Sequence, residues 1–357
     1  MTAVPWVVGQ WVRGKRFYGR AAEIAALLPS AEEEPKTPPI DPAAPGRRLW
    51  VAGLRRIGKT SLLRQLELLA LDERRPVLPL LWDLEDADDA RGLAAGLADT
   101  LLDAGEALDR LGARREVEDE VEPDLGDSDP CAVLEKLRRA LAGRGAGLLL
   151  LCDEADRLAG LGRTDPELLR RLWRAATGQN GRVVLASSVR LADLAAAGGA
   201  GAGVEGFGAP LPLGAMTPDE ARQLLRQSRL PPAARPGFDD ATVEAIRERC
   251  GDHPMLLQLA GRRCQETGDL DEAFRRLAAE RTVEHLFEVD LALLTETERR
   301  ALRATARGER DGGAGADAGD PALGRLVALG LLRRSAPGGA GGGLAIRNRL
   351  LAAWLLR

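Results

Sequence analysis

Eight consecutive residues carry the clearest chemistry in the chain. Gly53-Leu54-Arg55-Arg56-Ile57-Gly58-Lys59-Thr60 fits the pattern G-x-x-x-x-G-K-[ST] at every fixed position. Phosphate groups are dense in negative charge. The glycines let the chain wrap closely, so that consecutive backbone N–H groups point inward, and a helix that starts at the end of the loop adds the positive end of its dipole. Lys59 is then placed to reach the β- and γ-phosphates of a nucleoside triphosphate, and the Thr60 hydroxyl to bind Mg²⁺. Gly53, Arg55, Arg56, Ile57, Gly58 and Ser61 complete the expected binding segment. The chain has four lysines, Lys15, Lys36, Lys59 and Lys136, and arginine carries nearly all the remaining positive charge. One of so few lysines at this position is informative.

A second group is Leu148-Leu149-Leu150-Leu151-Cys152-Asp153-Glu154. A carboxylate at the end of a buried strand is costly without a cationic partner. Mg²⁺ bound to phosphates is such a partner, so Asp153 joins Thr60 as a candidate metal ligand. Glu154 is placed to orient or deprotonate a water for attack on the γ-phosphate, which makes Glu154 and Lys59 the candidate catalytic residues. Strands also end in Asp simply because loops begin there, and that alternative stays open for the acid taken alone. A third segment, Arg182 to Ser188, puts Ser187 at a strand tip, where it either senses the γ-phosphate or runs into a turn. Arg171 and Arg174 are either charge-stabilising arginines towards a neighbouring subunit or a solvated helix face.

These side chains need a rigid support. Short β-like runs, Leu49 to Gly53, Val77 to Asp83, Leu148 to Asp153, Val183 to Ser187 and Leu211 to Leu213, alternate with helical patterns such as Leu62, Leu63, Leu66 and Leu69. That alternation predicts an α/β fold with a parallel sheet covered by helices. The uninterrupted leucines 148–151 suit a strand buried on both faces. After Leu213 the strand signals nearly vanish. Thr217-Pro218-Asp219-Glu220 and Thr295-Glu296-Thr297-Glu298 read as capping boxes, and Asp165-Pro166-Glu167 as another helix start. Two short helices, then Leu331 to Arg334 and Leu344 to Ile346 around a glycine-rich turn, outline a winged helix closed by a helix at Arg349 to Arg357. The expected domains are an adenine-side segment and loop at 1–46, a P-loop domain at 47–213, a helical lid at 214–285 and a winged helix at 286–357.

The composition limits the alternatives. The chain has 357 residues, 45% hydrophobic, and a net charge of −4, which gives no general drive towards nucleic acid. No apolar run approaches the ~20 residues that span a bilayer, and no signal peptide is read at the start. Cys131, Cys152, Cys250 and Cys264 form no C-x-x-C pair, and the histidines are His253 and His285. Zinc and a disulfide framework are therefore not expected, and a reducing cytoplasm is. Ser30 to Arg47, Glu116 to Asp129, Ala195 to Pro210, Arg310 to Asp320 and Pro337 to Gly343 read as loops.

Taken together the motifs resemble those of a known group. Phe17-Tyr18-Gly19-Arg20-x-x-Glu23-Ile24 is similar to the F-x-G-R-x-x-E-L box that precedes the P-loop in origin-recognition-like AAA ATPases and in STAND ATPases. Gly53 to Leu63 resembles the G-x-R-R-x-G-K-T-S-L-L form of their bacterial and archaeal branch. Leu213 to Ala221 looks like the start of the helical lid, and Gly251-Asp252-His253-Pro254-Met255-Leu256-Leu257-Gln258 is similar to its G-G-H-P-Y-L-L-Q motif. Asp252 stands where glycine is usual, and Met255 where an aromatic is usual. Ile346 to Leu351 resembles the last winged-helix segment.

The resemblance implies that Gly19, Arg20 and the segment around Val8 lie over the adenine, and that Pro254 closes the nucleotide from the lid side with His253 nearby. It implies an ATP- or ADP-bound, Mg²⁺-dependent switch that hydrolyses slowly, signals through a protein partner in trans and self-associates on ATP binding. Because the chain ends directly after the winged helix, input or output is expected from that partner. The alternative is an ATP-controlled DNA-binding protein of the origin-recognition or transposition-regulator type. The basic lean of 291–357, with Arg299, Arg300, Arg303, Arg307, Arg310, Arg325, Arg333, Arg334, Arg347, Arg349 and Arg357, favours DNA, whereas the wing at 337–343 lacks basic residues. A third reading is a module that holds the nucleotide without turnover.

Overall fold

The computed structural model describes residues 5–28, 48–72, 75–125, 129–178, 180–196, 203–309, 320–334 and 343–357. Most of the loops expected at 30–47, 310–320 and 337–343 lie outside the described residues. The chain forms two compact units. One comprises residues 21–52 and 59–211, the other residues 1–20, 53–58 and 212–357.

The sheet comprises β1 (Arg48–Gly53), β2 (Val77–Asp83), β3 (Gly147–Asp153), β4 (Gly181–Ser187) and β5 (Leu211–Leu213), in the order β2-β3-β4-β1-β5; β2, β3 and β4 lie wholly in the first unit. The strands β2, β3, β4 and β1 run parallel, with Cys152 level with Leu185 and Ser187 level with Ala52. Leu148 to Leu151 are at most 1% exposed. A strand in the middle of a parallel sheet is covered on both faces, which is why no polar residue alternates along it. Pro79 lies in β2 at the sheet edge, where its missing N–H leaves the outer side of the ladder unharmed.

The helices of this unit are α1 (Ala21–Leu27), α2 (Lys59–Ala70), α3 (Ala90–Leu102), α4 (Gly105–Leu111), α5 (Arg114–Glu120), α6 (Pro130–Gly143), α7 (Leu158–Thr164), α8 (Pro166–Thr177) and α9 (Val189–Ala196). Asp165 caps α8 by accepting from the Leu168 N–H at 3.0 Å, as its sequence signature predicts. The acidic stretch 116–129, expected as loop, is partly helical. Val117 and Val121, one helical turn apart, are fully buried, and Arg114 pairs with Glu118 and Asp109. Two apolar anchors are enough to order a short, highly charged helix.

The second unit holds α10 (Pro218–Arg226), α11 (Asp240–Cys250), α12 (Pro254–Thr267), α13 (Leu270–Ala278), α14 (Arg281–Ala292), α15 (Glu296–Ala306), α16 (Pro321–Ala328) and α17 (Arg349–Leu355), with an antiparallel hairpin of β6 (Leu332–Arg334) and β7 (Leu344–Ile346). Both expected capping boxes are formed. The Thr217 and Thr295 hydroxyls accept from Glu220 and Glu298 N–H, and each glutamate accepts in return from the threonine N–H. The N-terminal segment is held by Trp6, whose indole donates to Gln265 at 2.8 Å and stacks on Phe238 at 6.0 Å.

Asp252 has a structural reason to stand where glycine is usual. Its φ is +57°, a left-handed backbone that Gly and Asp tolerate best. Its buried carboxylate lies 2.9 Å from Arg247 Nε and 3.2 Å from Arg347 Nη2, tying α11 to the end of the hairpin. All four cysteines are free and buried. Among the described residues no helix is long and apolar enough to cross a membrane.

Candidate nucleotide site

The loop Gly53–Gly58 leaves β1 and is shaped by its own unit. Leu54 and Ile57 are each 1% exposed and anchor it, while Arg55 and Arg56 point outward. Gly53 is required by crowding, since a Cβ there would meet the Leu213 carbonyl oxygen at 2.6 Å. Gly58 is required by conformation, with φ +104°. Arg56 also adopts a positive φ, +57°, and its Nη1 donates to the Gly9 carbonyl at 3.1 Å. The Arg55 N–H donates to Asp290 Oδ1 at 3.1 Å.

Arg20 reaches this loop, and Gly19 packs against the Glu220 side chain. Both have positive φ. The Arg20 N–H donates to Glu220 at 2.5 Å, and its Nη2 donates to the carbonyls of Gly214 at 2.6 Å and Ile57 at 3.4 Å. Arg20 therefore links the loop, through the Ile57 carbonyl, to the Gly214 carbonyl just after β5. Val8 is half-buried, beside Val7, whose N–H donates to Gln258 at 3.3 Å. Pro254 opens α12 at its first turn, where the absent N–H costs nothing.

His253, just before it, has both ring nitrogens shut off from solvent, and the Arg55 backbone lies against the ring. Burial, reinforced by the positive charge of Arg20, lowers its pKa from 6.5 to about 4, so the ring is neutral at physiological pH. A small cavity of about 20 Å³ lies against His253, Leu54, Ile57, Asp290 and Asn348, room for about one water.

In the sheet unit the remaining candidates gather at the carboxyl edge of the strands. Lys59, Thr60 and Ser61 form the first turn of α2, which packs on β2, β3 and β4. Asp153 ends β3, 7% exposed, and its Oδ1 accepts from the Glu154 N–H at 3.0 Å. Glu154 is exposed and held at φ +50°, a strained conformation for a non-glycine residue of the kind that collects at functional sites. Ser187 reaches the same edge, but its hydroxyl is engaged. It accepts from the Trp50 indole at 2.7 Å and donates to the Ser188 carbonyl at 2.9 Å. Arg171 is drawn into an ion pair with Asp129.

Sequence reasoning missed three residues. Asp156 accepts from both the N–H and the hydroxyl of Ser188, at 2.6 Å each, and clamps the ends of β3 and β4 together. Trp50 occupies the Ser187 hydroxyl. Asp290 was legible in principle, because it takes a place in the apolar stripe Val283, Leu286, Phe287, Leu291 of α14, where a carboxylate needs a partner.

A parallel sheet in this order, with a G-x-x-x-x-G-K-T loop leaving β1 and an acid ending β3, defines the AAA-type P-loop fold. Comparison with solved structures agrees. Over 99% of this chain and 100% of the other, the fold matches the Walker-type ATPase of Pyrococcus abyssi with a TM-score of 0.64 at 19% identity. More distant likenesses are the Aeropyrum pernix ORC2 protein, TM-score 0.45 at 18% identity over 87% and 85% of the two chains, and Cdc6p from Pyrobaculum aerophilum, 0.39 at 15% over 87% of each. No family model matches the chain, nor does any curated protein.

Proposed function

We propose that this chain binds ATP or ADP on the loop Gly53–Thr60 and acts as a nucleotide-dependent switch that hydrolyses ATP slowly. The observation that carries the reading is the loop itself. Its glycines are required by crowding and positive φ, and it leads straight into the α2 N-terminus with Lys59 and Thr60 in the first turn. The amides and dipole there favour an anion, Lys59 neutralises the β- and γ-phosphates, and Glu154 orients and deprotonates the attacking water. Thr60 and Asp153 suit Mg²⁺, which takes one or two protein oxygens and completes its shell with phosphate and water. When bound, that ion would supply neutralisation of phosphate charge. Arg20 acts as a positioning residue, and Val8, Gly19 and Pro254 form the adenine-side contacts.

The proposed organisation is a P-loop domain at 47–213, a lid at 214–285 and a winged helix at 286–357, placed in the cytoplasm as a member of the STAND or origin-recognition-like class. The helices α15 and α16 followed by the hairpin support the winged-helix assignment. Output passes to a protein partner, with self-association on ATP binding. Binding of ATP with and without Mg²⁺ tests the site. Mg²⁺ should tighten ATP binding to the wild type and do so far less for Asp153→Asn; equal tightening in both would remove the metal assignment.

DNA control is the second reading, and exposed Arg333 and Arg334 on β6 favour it. Against it, Arg299, Arg307, Arg325, Arg347 and Arg349 are already paired with Glu296, Glu309, Glu298, Asp252 and Glu248. Paired arginines offer little to phosphates. A salt-dependent shift of duplex DNA by the full chain, lost in Arg333→Ala/Arg334→Ala, would favour this reading over a protein partner.

A further inference from the structure

Asp290 lies 235 residues beyond Arg55 in sequence, is 5% exposed, and accepts the Arg55 N–H at 3.1 Å. It is the polar member of an otherwise apolar stripe on α14. A carboxylate there is costly unless it is hydrogen-bonded, and the Arg55 N–H supplies such a bond. The donor it takes belongs to the first half of the loop, before the turn at Gly58, so Asp290 and a bound phosphate need not compete for one amide. The same helix reaches the C-terminal elements. Phe287 packs on Trp354 of α17 with ring centroids 5.9 Å apart, and Arg299 of α15 donates to the Leu291 carbonyl at 3.3 Å. One helix therefore touches the loop through the Asp290 carboxylate and the C-terminal helices through its neighbouring residues.

We propose that Asp290 is the positioning residue that reports the state of the phosphate loop to the C-terminal helices and hairpin. The proposal rests on the nucleotide reading above. When the loop closes on phosphate, the Arg55 amide shifts, and α14 follows because its carboxylate is bound there. A coupling of this kind needs a specific contact that differs between the two states, and the bond from Asp290 to the Arg55 amide is a contact of that kind.

The test is amide hydrogen exchange of peptides covering 283–306 and 344–357, with and without ADP, on full-length wild type, Asp290→Asn and Asp290→Leu. Nucleotide affinity is measured in parallel. Leucine suits the stripe and lacks the acceptor; asparagine keeps a carbonyl oxygen. The wild type should show nucleotide-dependent exchange in both peptides. Asp290→Asn should keep at least half of that response, and Asp290→Leu should lose it while still binding ADP within about tenfold of wild type. A full response in Asp290→Leu would overturn the proposal alone. A wild type that binds no nucleotide would overturn the underlying reading along with it.

Discussion

The indole N–H of Trp50 on β1 donates to the hydroxyl of Ser187 on β4 at 2.7 Å, and both residues are buried. The bond spans neighbouring strands where the phosphate loop leaves the sheet. It fills one acceptor site of the hydroxyl, whose proton goes to the Ser188 carbonyl. A γ-phosphate contact from Ser187 would have to break that second bond. Ser187→Ala should therefore lower stability by about 1–3 kcal/mol, the cost of a stranded indole N–H, with nucleotide affinity changed by less than about threefold. Denaturant unfolding and nucleotide titration measure the two effects; unchanged stability with a large loss of affinity would return Ser187 to a sensing role.

His253 makes stability depend on pH. Its folded pKa of about 4 lies below the ordinary 6.5, so the unfolded chain binds the proton more tightly. The stabilisation is fully present above pH 6.5 and is lost as pH falls from there through 4. The full effect is about 3 kcal/mol. His253→Gln should flatten the stability-versus-pH curve between pH 6.5 and 4 relative to wild type, and parallel curves for the two proteins would rule this out.

Asp252 bridges two arginines from a buried position. Removing the acid leaves Arg247, itself buried, with Glu244 as its remaining acidic partner, and takes the carboxylate away from Arg347. Asp252→Ala should cost about 1–3 kcal/mol. Asp252→Gly relieves the positive φ and yet loses the same ion pairs, so it should remain clearly destabilised in thermal unfolding; a glycine variant as stable as wild type would mean that backbone strain, rather than charge, dominates at this site.

Much of the fold was legible because its signals are local. Apolar runs marked the five strands of the larger sheet within two residues, and the capping boxes are satisfied by atoms three residues apart. The loop motif works the same way, since its spacing is its chemistry. Tertiary pairs left weaker traces. Asp290 on α14 reaches Arg55 in the loop, Arg20 takes the Gly214 carbonyl, and Trp50 claims the Ser187 hydroxyl. Residue type alone does not say which distant carbonyl a buried guanidinium will find. The helix at 114–120 was hidden for a different reason: its charge outweighed two valines that, once buried, decide its structure.

Glu154 sits exposed, with strained backbone, directly after the buried Asp153. If it activates water, Glu154→Gln should cut phosphate release about a hundredfold or more and leave ATP binding intact. A phosphate-release assay that finds equal, slow release in both proteins would instead support a module that holds nucleotide without turnover.

The account depends most on phosphate being held at the start of α2. ATP and ADP affinities of wild type and Lys59→Ala, measured at one salt concentration, test that directly. Loss of the ammonium should weaken binding of ATP by about tenfold or more. Equal affinity for the two proteins would contradict the site.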